Sequence, residues 1–201
     1  MISLPHIAAI IPAAGLSSRF DSTNKLVQRL GGRTVIERVV SMAVKSGCRS
    51  AVVVTGHDSE RIRFVLKELE VSIVFNEAFQ TGMGSSIAAG VASQPDVDGY
   101  LIWPADMPLV KLETIRSIID AHQPSRIVTP VYKQRPGHPV LFSSVFRDEL
   151  LRIDPSGGAR PVLEENTKAV YRIETTDPGI FKDIDTIDDL EEAHLHVDTH
   201  L

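Results

Sequence analysis

Short apolar runs alternate with longer amphipathic segments along most of this chain, and that alternation constrains its fold more than any other feature. Residues 7–13, Ile-Ala-Ala-Ile-Ile-Pro-Ala, read as a strand. Residues 51–55 are a continuous apolar run, as expected of a strand covered on both faces. Residues 71–75, 100–104 and 126–131 repeat the signal. Between them, 34–46 reads as a helix, with Thr34 and Glu37 at capping-box spacing and Val35, Val39, Met42 and Ala43 on one face. Segments 59–69, 84–92 and 111–122 read as further helices. Strand, helix, strand in succession means parallel strands joined by crossovers, so the expected class is a three-layer α/β fold with a mostly parallel sheet. After Tyr132 the character changes. Residues 133–139 are polar and turn-rich, 140–142 are apolar, a helical stretch runs to 153, and the loop 154–158 follows. No repeat and no linker interrupts the chain. One domain over 1–201 is expected, with about 1–131 as its main half and about 132–201 as a lobe built onto the same sheet.

Composition narrows the partners. A formal net charge of -5 without a basic stripe argues against nucleic acid. No apolar run approaches the length of a membrane span, and the first residues lack the pattern of a signal peptide. The single cysteine, Cys48, precludes an intrachain disulfide and suits a reducing compartment, so a cytoplasmic protein is expected.

The first strand empties into Pro12-Ala13-Ala14-Gly15-Leu16-Ser17-Ser18-Arg19, followed by Asn24-Lys25-Leu26. Small residues let the backbone approach a ligand closely, and Gly15 has access to positive φ. Free N–H groups in such a loop form an anion cradle, to which Arg19 adds a fork of donors and Lys25 a point charge. The pattern suits a nucleoside triphosphate, although the loop alone equally fits an ordinary strand-to-helix turn. It is neither a Walker loop nor a dinucleotide fingerprint, because Leu26 follows Lys25 and only Gly15 is present of the required glycines.

In open parallel sheets, ligands bind at the carboxyl ends of the strands. Gln80-Thr81-Gly82-Met83-Gly84-Ser85-Ser86 lies at such an end and opens a helix, whose N-terminus favours anionic or polar ligand atoms. Trp103-Pro104-Ala105-Asp106-Met107-Pro108 lies at another. Asp106 alone reads more readily as a turn cap. Beside a triphosphate loop it becomes a Mg²⁺ ligand, since Mg²⁺ takes one or two carboxylates plus phosphate oxygens. A second carboxylate comes from Asp183-Ile184-Asp185-Thr186, which as a short strand would place Asp183 and Asp185 on one face. Asp185 is the favoured second metal ligand, ahead of Asp183. Thr186 and Asp189 are spaced as a cap for the last helix, and the acidic residues after Ile187 read as its solvated first turn. His194, His196 and His200 read as part of an acidic tail rather than a metal cluster.

Taken together, Ala13-Ala14-Gly15-x-Ser17-x-Arg19, Asn24-Lys25-Leu26, Gly82-Met83-Gly84-Ser85-Ser86, Ala105-Asp106-Met107-Pro108, Gly137-His138-Pro139-Val140, Gly158-Ala159-Arg160 and Asp183-Ile184-Asp185-Thr186 resemble, in order, the NTP transferases of the molybdenum cofactor cytidylyltransferase type. The resemblance implies a Rossmann-like nucleotidyltransferase fold with a small acceptor-binding lobe, CTP as donor, a phosphorylated pterin as acceptor and Mg²⁺ as cofactor. It implies catalytic roles for Arg19, Lys25 and Asp106, and nucleotide contacts from Ala13, Ala14, Gly15, Gly82, Gly84 and Ser85. The metal falls to Asp106 and Asp185, and the acceptor to His138 and Arg160. A molybdoenzyme or its chaperone is the expected recipient. The chain departs from the pattern at Phe20-Asp21-Ser22-Thr23, where Met-Gly is usual, and at Pro12, where leucine is usual. Ala14, where guanylyl-transferring relatives carry glycine, favours the cytidylyl branch. Two other readings remain: a nucleotidyltransferase on the same fold that uses GTP or transfers to a sugar or alditol phosphate, and a non-catalytic protein that presents the pterin.

Overall fold

The computed structural model describes residues 4–15, 20 and 24–198. In chain order its strands and helices are β1 (Ile7–Pro12), β2 (Arg29–Leu30), β3 (Arg33–Thr34), α1 (Val35–Ser46), β4 (Ser50–Thr55), α2 (Ser59–Leu66), β5 (Ser72–Phe75), α3 (Met83–Ala92), β6 (Gly99–Ile102), α4 (Leu112–Asp120), β7 (Ile127–Tyr132), β8 (Arg135–Pro136), β9 (Val140–Ser143), α5 (Arg147–Leu151), α6 (Arg160–Glu165), β10 (Val170–Glu174) and α7 (Ile187–Asp198). The main sheet has the order β10-β7-β9-β6-β1-β4-β5, with β8 paired to β7. β1 runs parallel to β4 and β6, and β4 runs parallel to β5. β9 runs antiparallel to both of its neighbours, β6 and β7, whereas β10 is again parallel to β7. The expected three-layer, mostly parallel fold is therefore present, with two reversed strands: the short β8 beside β7, and β9 where the second half of the chain joins the first.

The period of two in the strands builds both faces of the core. Ile7, Ala9 and Ile11 of β1 pack with Val53, Leu101, Val39, Ile62 and Ile115 on the side of α1, α2 and α4. Ala8 and Ile10 pack with Val52, Val54, Tyr100, Ile87 and Leu150 on the side of α3 and α5. Helix α1 starts as its sequence dictates. The Glu37 N–H donates to Thr34 Oγ1 at 3.3 Å, and the Thr34 N–H donates to Glu37 Oε2 at 2.6 Å. The helix ends at Gly47, whose φ of 102° is left-handed.

Helices α2 and α4 are shorter than the sequence pattern suggests, and the stretch before Ile153 divides into a 3-10 turn, Ser144–Phe146, and α5. The two-residue strands β2, β3 and β8 carry too little pattern to be read in advance. β10 evades reading because its residues are exposed or half-buried rather than apolar. Asp183 and Asp185 do not lie on a strand. Residues 182–186 are an irregular segment, held where the Ile184 N–H donates to Asp106 O at 2.9 Å and the Ile184 side chain is buried. The cap at Thr186 is as expected, with Thr186 Oγ1 donating to Asp189 Oδ2 at 2.8 Å.

Candidate active site

The carboxyl ends of β1, β5 and β6 open on one edge of the sheet and enclose a cleft of about 420 Å³. Ala13, Ala14 and Gly15 form one wall; Phe79, Gln80, Gly82, Met83 and Ser86 form another; Lys25, Asp106 and Asp185 form the charged floor. Sheet hydrogen bonds run past the strand ends and hold both loops. The Ala13 N–H donates to Val54 O at 2.8 Å, and the Ala105 N–H donates to Pro12 O at 3.2 Å. Gly15 is not one of the glycines with positive φ. Its contribution is space, because a Cβ there meets no described atom within 4 Å. Arg19 lies outside the described residues, as do Leu16, Ser17 and Ser18.

Asp106 is aimed by a rigid turn. Trp103 is fully buried, its Nε1–H donates to Met107 O at 3.1 Å, and the Met107 N–H donates to Pro104 O at 3.2 Å. The Asp106 carboxylate is not a turn cap: among the described residues its hydrogen-bond partner is a side chain, Lys25. Lys25 lies in a 3-10 turn, Lys25–Val27, whose preceding residue, Asn24, accepts the Leu26 N–H through its side chain at 2.9 Å. From there Nζ donates to Asp106 Oδ2 at 2.6 Å and to Asp185 Oδ1 at 2.7 Å. Burial works to lower the lysine's pKa, but the two carboxylates outweigh it, and the pKa stands above its ordinary value. The sequence places these charges on one ligand edge; that one ammonium joins both carboxylates is visible only in three dimensions.

The glycine-rich turn is used differently from the sequence expectation. Gly82 and Ser86 line the cleft; Gly84 and Ser85 do not. A Cβ on Gly84 would lie 2.0 Å from Asp154 O, and the Ser85 N–H donates to Pro155 O at 3.3 Å. The start of α3 is thus a seat for the 154–157 loop. Asn76, which the sequence reading overlooked, holds the turn from beneath. Its buried amide donates to Ser85 Oγ at 2.8 Å and to Ser86 Oγ at 3.1 Å. The signal for it was an Asn at a strand end, nine residues before a serine pair. Gly56 is another such position, since a Cβ there would meet Phe79 at 2.4 Å and Ala14 at 3.0 Å.

His138 follows a close approach of two backbones. Its N–H donates to Ile180 O at 2.9 Å, and a Cβ on Gly137 would lie 2.6 Å from the same oxygen. The residue keeps access to solvent. Desolvation by the surrounding protein lowers its pKa, while the charges of Asp106 and Asp183 oppose the shift from nearby. Arg160 is far more open: its side chain is 86% exposed and Nε donates to Glu164 Oε1 at 2.7 Å. Neither His138 nor Arg160 is among the lining residues of the cleft.

Among the described residues, no set of three or more His, Cys, Asp or Glu side chains surrounds a metal position. Two carboxylates that already share one cation are nevertheless a donor set suited to a small hard dication that completes its shell with phosphate oxygens.

A small-residue loop, a lysine and paired carboxylates thus meet at the carboxyl ends of a mostly parallel sheet. The family model of the MobA-like NTP transferase domain matches residues 9–170, and the chain belongs to that family. Nicotine blue oxidoreductase of Paenarthrobacter nicotinovorans is 26% identical over 195 residues, covering 93% of this chain and 96% of that protein. The bifunctional protein GlmU of Legionella pneumophila is 31% identical over 169 residues, 84% of this chain but 33% of GlmU, so the chain spans about a third of that relative's length. A nucleotidyl transferase structure from Methanothermobacter superposes with a TM-score of 0.87 at 23% identity, covering 97% of this chain and 99% of that one. The molybdopterin-guanine dinucleotide biosynthesis protein A of Archaeoglobus fulgidus superposes with a TM-score of 0.68 at 19% identity, covering 96% and 99%. No helix among the described residues is long and apolar enough to cross a membrane.

Proposed function

We propose that this protein transfers CMP from CTP to the phosphate of a phosphorylated pterin, molybdopterin or the molybdenum cofactor, and releases pyrophosphate. The observation that carries the reading is the meeting of Lys25, Asp106 and Asp185 beside the Ala13–Gly15 loop. A phosphate monoester is already largely ionised near neutral pH, with a second pKa of about 6, so the attacking oxygen needs no general base. That oxygen bonds to the α-phosphorus of CTP as the bond to the pyrophosphate oxygen breaks. The chain's task is positioning and charge neutralisation. Lys25 and Arg19 hold the triphosphate and the departing pyrophosphate. The walls at Ala13, Ala14, Gly15 and Gly82 frame base and ribose, with Gly84 and Ser85 supporting that wall from behind. Asp106 and Asp185 would hold Mg²⁺, which when bound supplies positive charge at the phosphate oxygens. His138, whose imidazole feels the charge of Asp106, meets the acceptor phosphate or pterin, and Arg160 meets its outlying part. A molybdoenzyme or its chaperone receives the product in the cytoplasm.

A sugar or alditol phosphate acceptor is the second reading. Pyrophosphate exchange into CTP and GTP, with the pterin or a sugar phosphate as acceptor, separates the two. In the same assay Asp106→Asn should lower turnover on the order of a hundredfold or more while circular dichroism stays unchanged. Near-normal turnover by that variant would remove Asp106 from the reaction.

A further inference from the structure

A dication and the Lys25 ammonium have claims on the same two oxygens, Asp106 Oδ2 and Asp185 Oδ1, which Nζ holds at 2.6 and 2.7 Å. The lysine's backbone is held in place by the Asn24 side chain and by the buried Leu26, so the ammonium moves only by swinging its own flexible stem. The Lys25 side chain is 14% exposed, Asp106 23% and Asp185 35%, so water screens the contact to Asp106 more weakly than the contact to Asp185. A dication brought to the carboxylates while Nζ is seated there meets a like charge at short range. A triphosphate alters that balance, because its oxygens offer the ammonium another anionic partner in the same cleft.

Resting on the reading of Asp106 and Asp185 as metal carboxylates, we propose that Lys25 is a displaceable occupant of the metal position. It holds the two carboxylates together, excludes divalent cations from them in the nucleotide-free protein, and releases them when a triphosphate draws the ammonium away. Metal and nucleotide then enter together rather than in either order. In this role Lys25 is a positioning residue that acts through the carboxylates.

The test is Mn²⁺ binding to the full chain without nucleotide, with free ion measured by electron paramagnetic resonance. Lys25→Met should bind Mn²⁺ about tenfold or more tightly than wild type, because it removes the competing charge. Adding Asp106→Asn to that variant should abolish the gain. Lys25→Gln, which keeps a polar end, should show the same gain, and thermal melts confirm that each variant is folded. If folded Lys25 variants bind Mn²⁺ no better than wild type while Asp106→Asn weakens binding, the occupant role is wrong and the metal site stands. If Asp106→Asn changes Mn²⁺ binding neither with CTP nor without it, the metal-site reading falls and the occupant role with it.

Discussion

His138 shows how one residue's surroundings become measurable. Although the residue is exposed, desolvation by the protein around its imidazole pushes its pKa below the ordinary 6.5, and the Asp106 and Asp183 carboxylates only partly oppose this. The folded protein therefore binds a proton at His138 less readily than the unfolded chain does. Between about 6.5 and the lower folded value the unfolded state carries more protons, so stability falls as the pH drops through that window. Thermal melts of wild type and His138→Gln from pH 7.5 to 5 should show wild type losing ground against the variant as the pH falls. Parallel curves would mean that the imidazole is as free in the folded state as in the unfolded one. Cys48 is a contrasting case. Burial raises its thiol to about 11, against a weaker opposing hydrogen bond from Ser46, which makes it a packing residue rather than a nucleophile.

At the scale of elements, the junction between α3 and the 154–157 loop ties the two halves of the chain together. Gly84 is needed there for room rather than for unusual φ. The Cβ of an alanine would stand 2.0 Å from Asp154 O, so one backbone must move. Gly84→Ala should cost about 1–3 kcal/mol of unfolding free energy, as overpacking does. Gly158→Ala is the matched control, because a Cβ at Gly158 meets nothing within 4 Å. Denaturant midpoints for the two variants give the comparison, and equal midpoints would show that the loop yields freely. The same seat explains why Ser85 serves the protein's own fold: its N–H goes to Pro155 O and its hydroxyl to the oxygens of Ala78 and Gly82.

At the scale of the molecule, the parallel part of the sheet, β6-β1-β4-β5, carries the cleft, and the reversed strand β9 joins it to the second half of the chain. That half supplies Asp185 to the cleft, on the segment that Ile184 ties to Asp106 O, whereas His138, bonded to Ile180 O, lies outside the lining residues. Under the proposed function, the first half binds donor and the second half orients acceptor. His138→Ala should then raise the Michaelis constant for the acceptor about tenfold or more, the worth of a hydrogen bond to a charged group, and change that for CTP little. Arg160→Ala should act in the same direction but more weakly, since its guanidinium is exposed and paired with Glu164. Initial rates with each substrate varied in turn decide this; an effect confined to CTP would reverse the assignment of the halves.

Hydrophobic periodicity is a local property, and it determined the major strands, the helices with their caps at Thr34 and Thr186, and the three-layer class. Motif order along the chain likewise brought Lys25, Asp106 and Asp185 to one ligand edge. Tertiary structure alone decided what these residues touch. The salt bridges from Lys25 span 81 and 160 residues of sequence, and no spacing rule reaches so far. It also turned Gly84 and Ser85 toward the 154–157 loop and left Arg160 on the surface. β10 and the reversed β9 were hidden for a related reason: a strand's partner and direction follow from which edge of the sheet is open to it. That depends on every element already packed, whereas a helix cap depends on residues three positions apart.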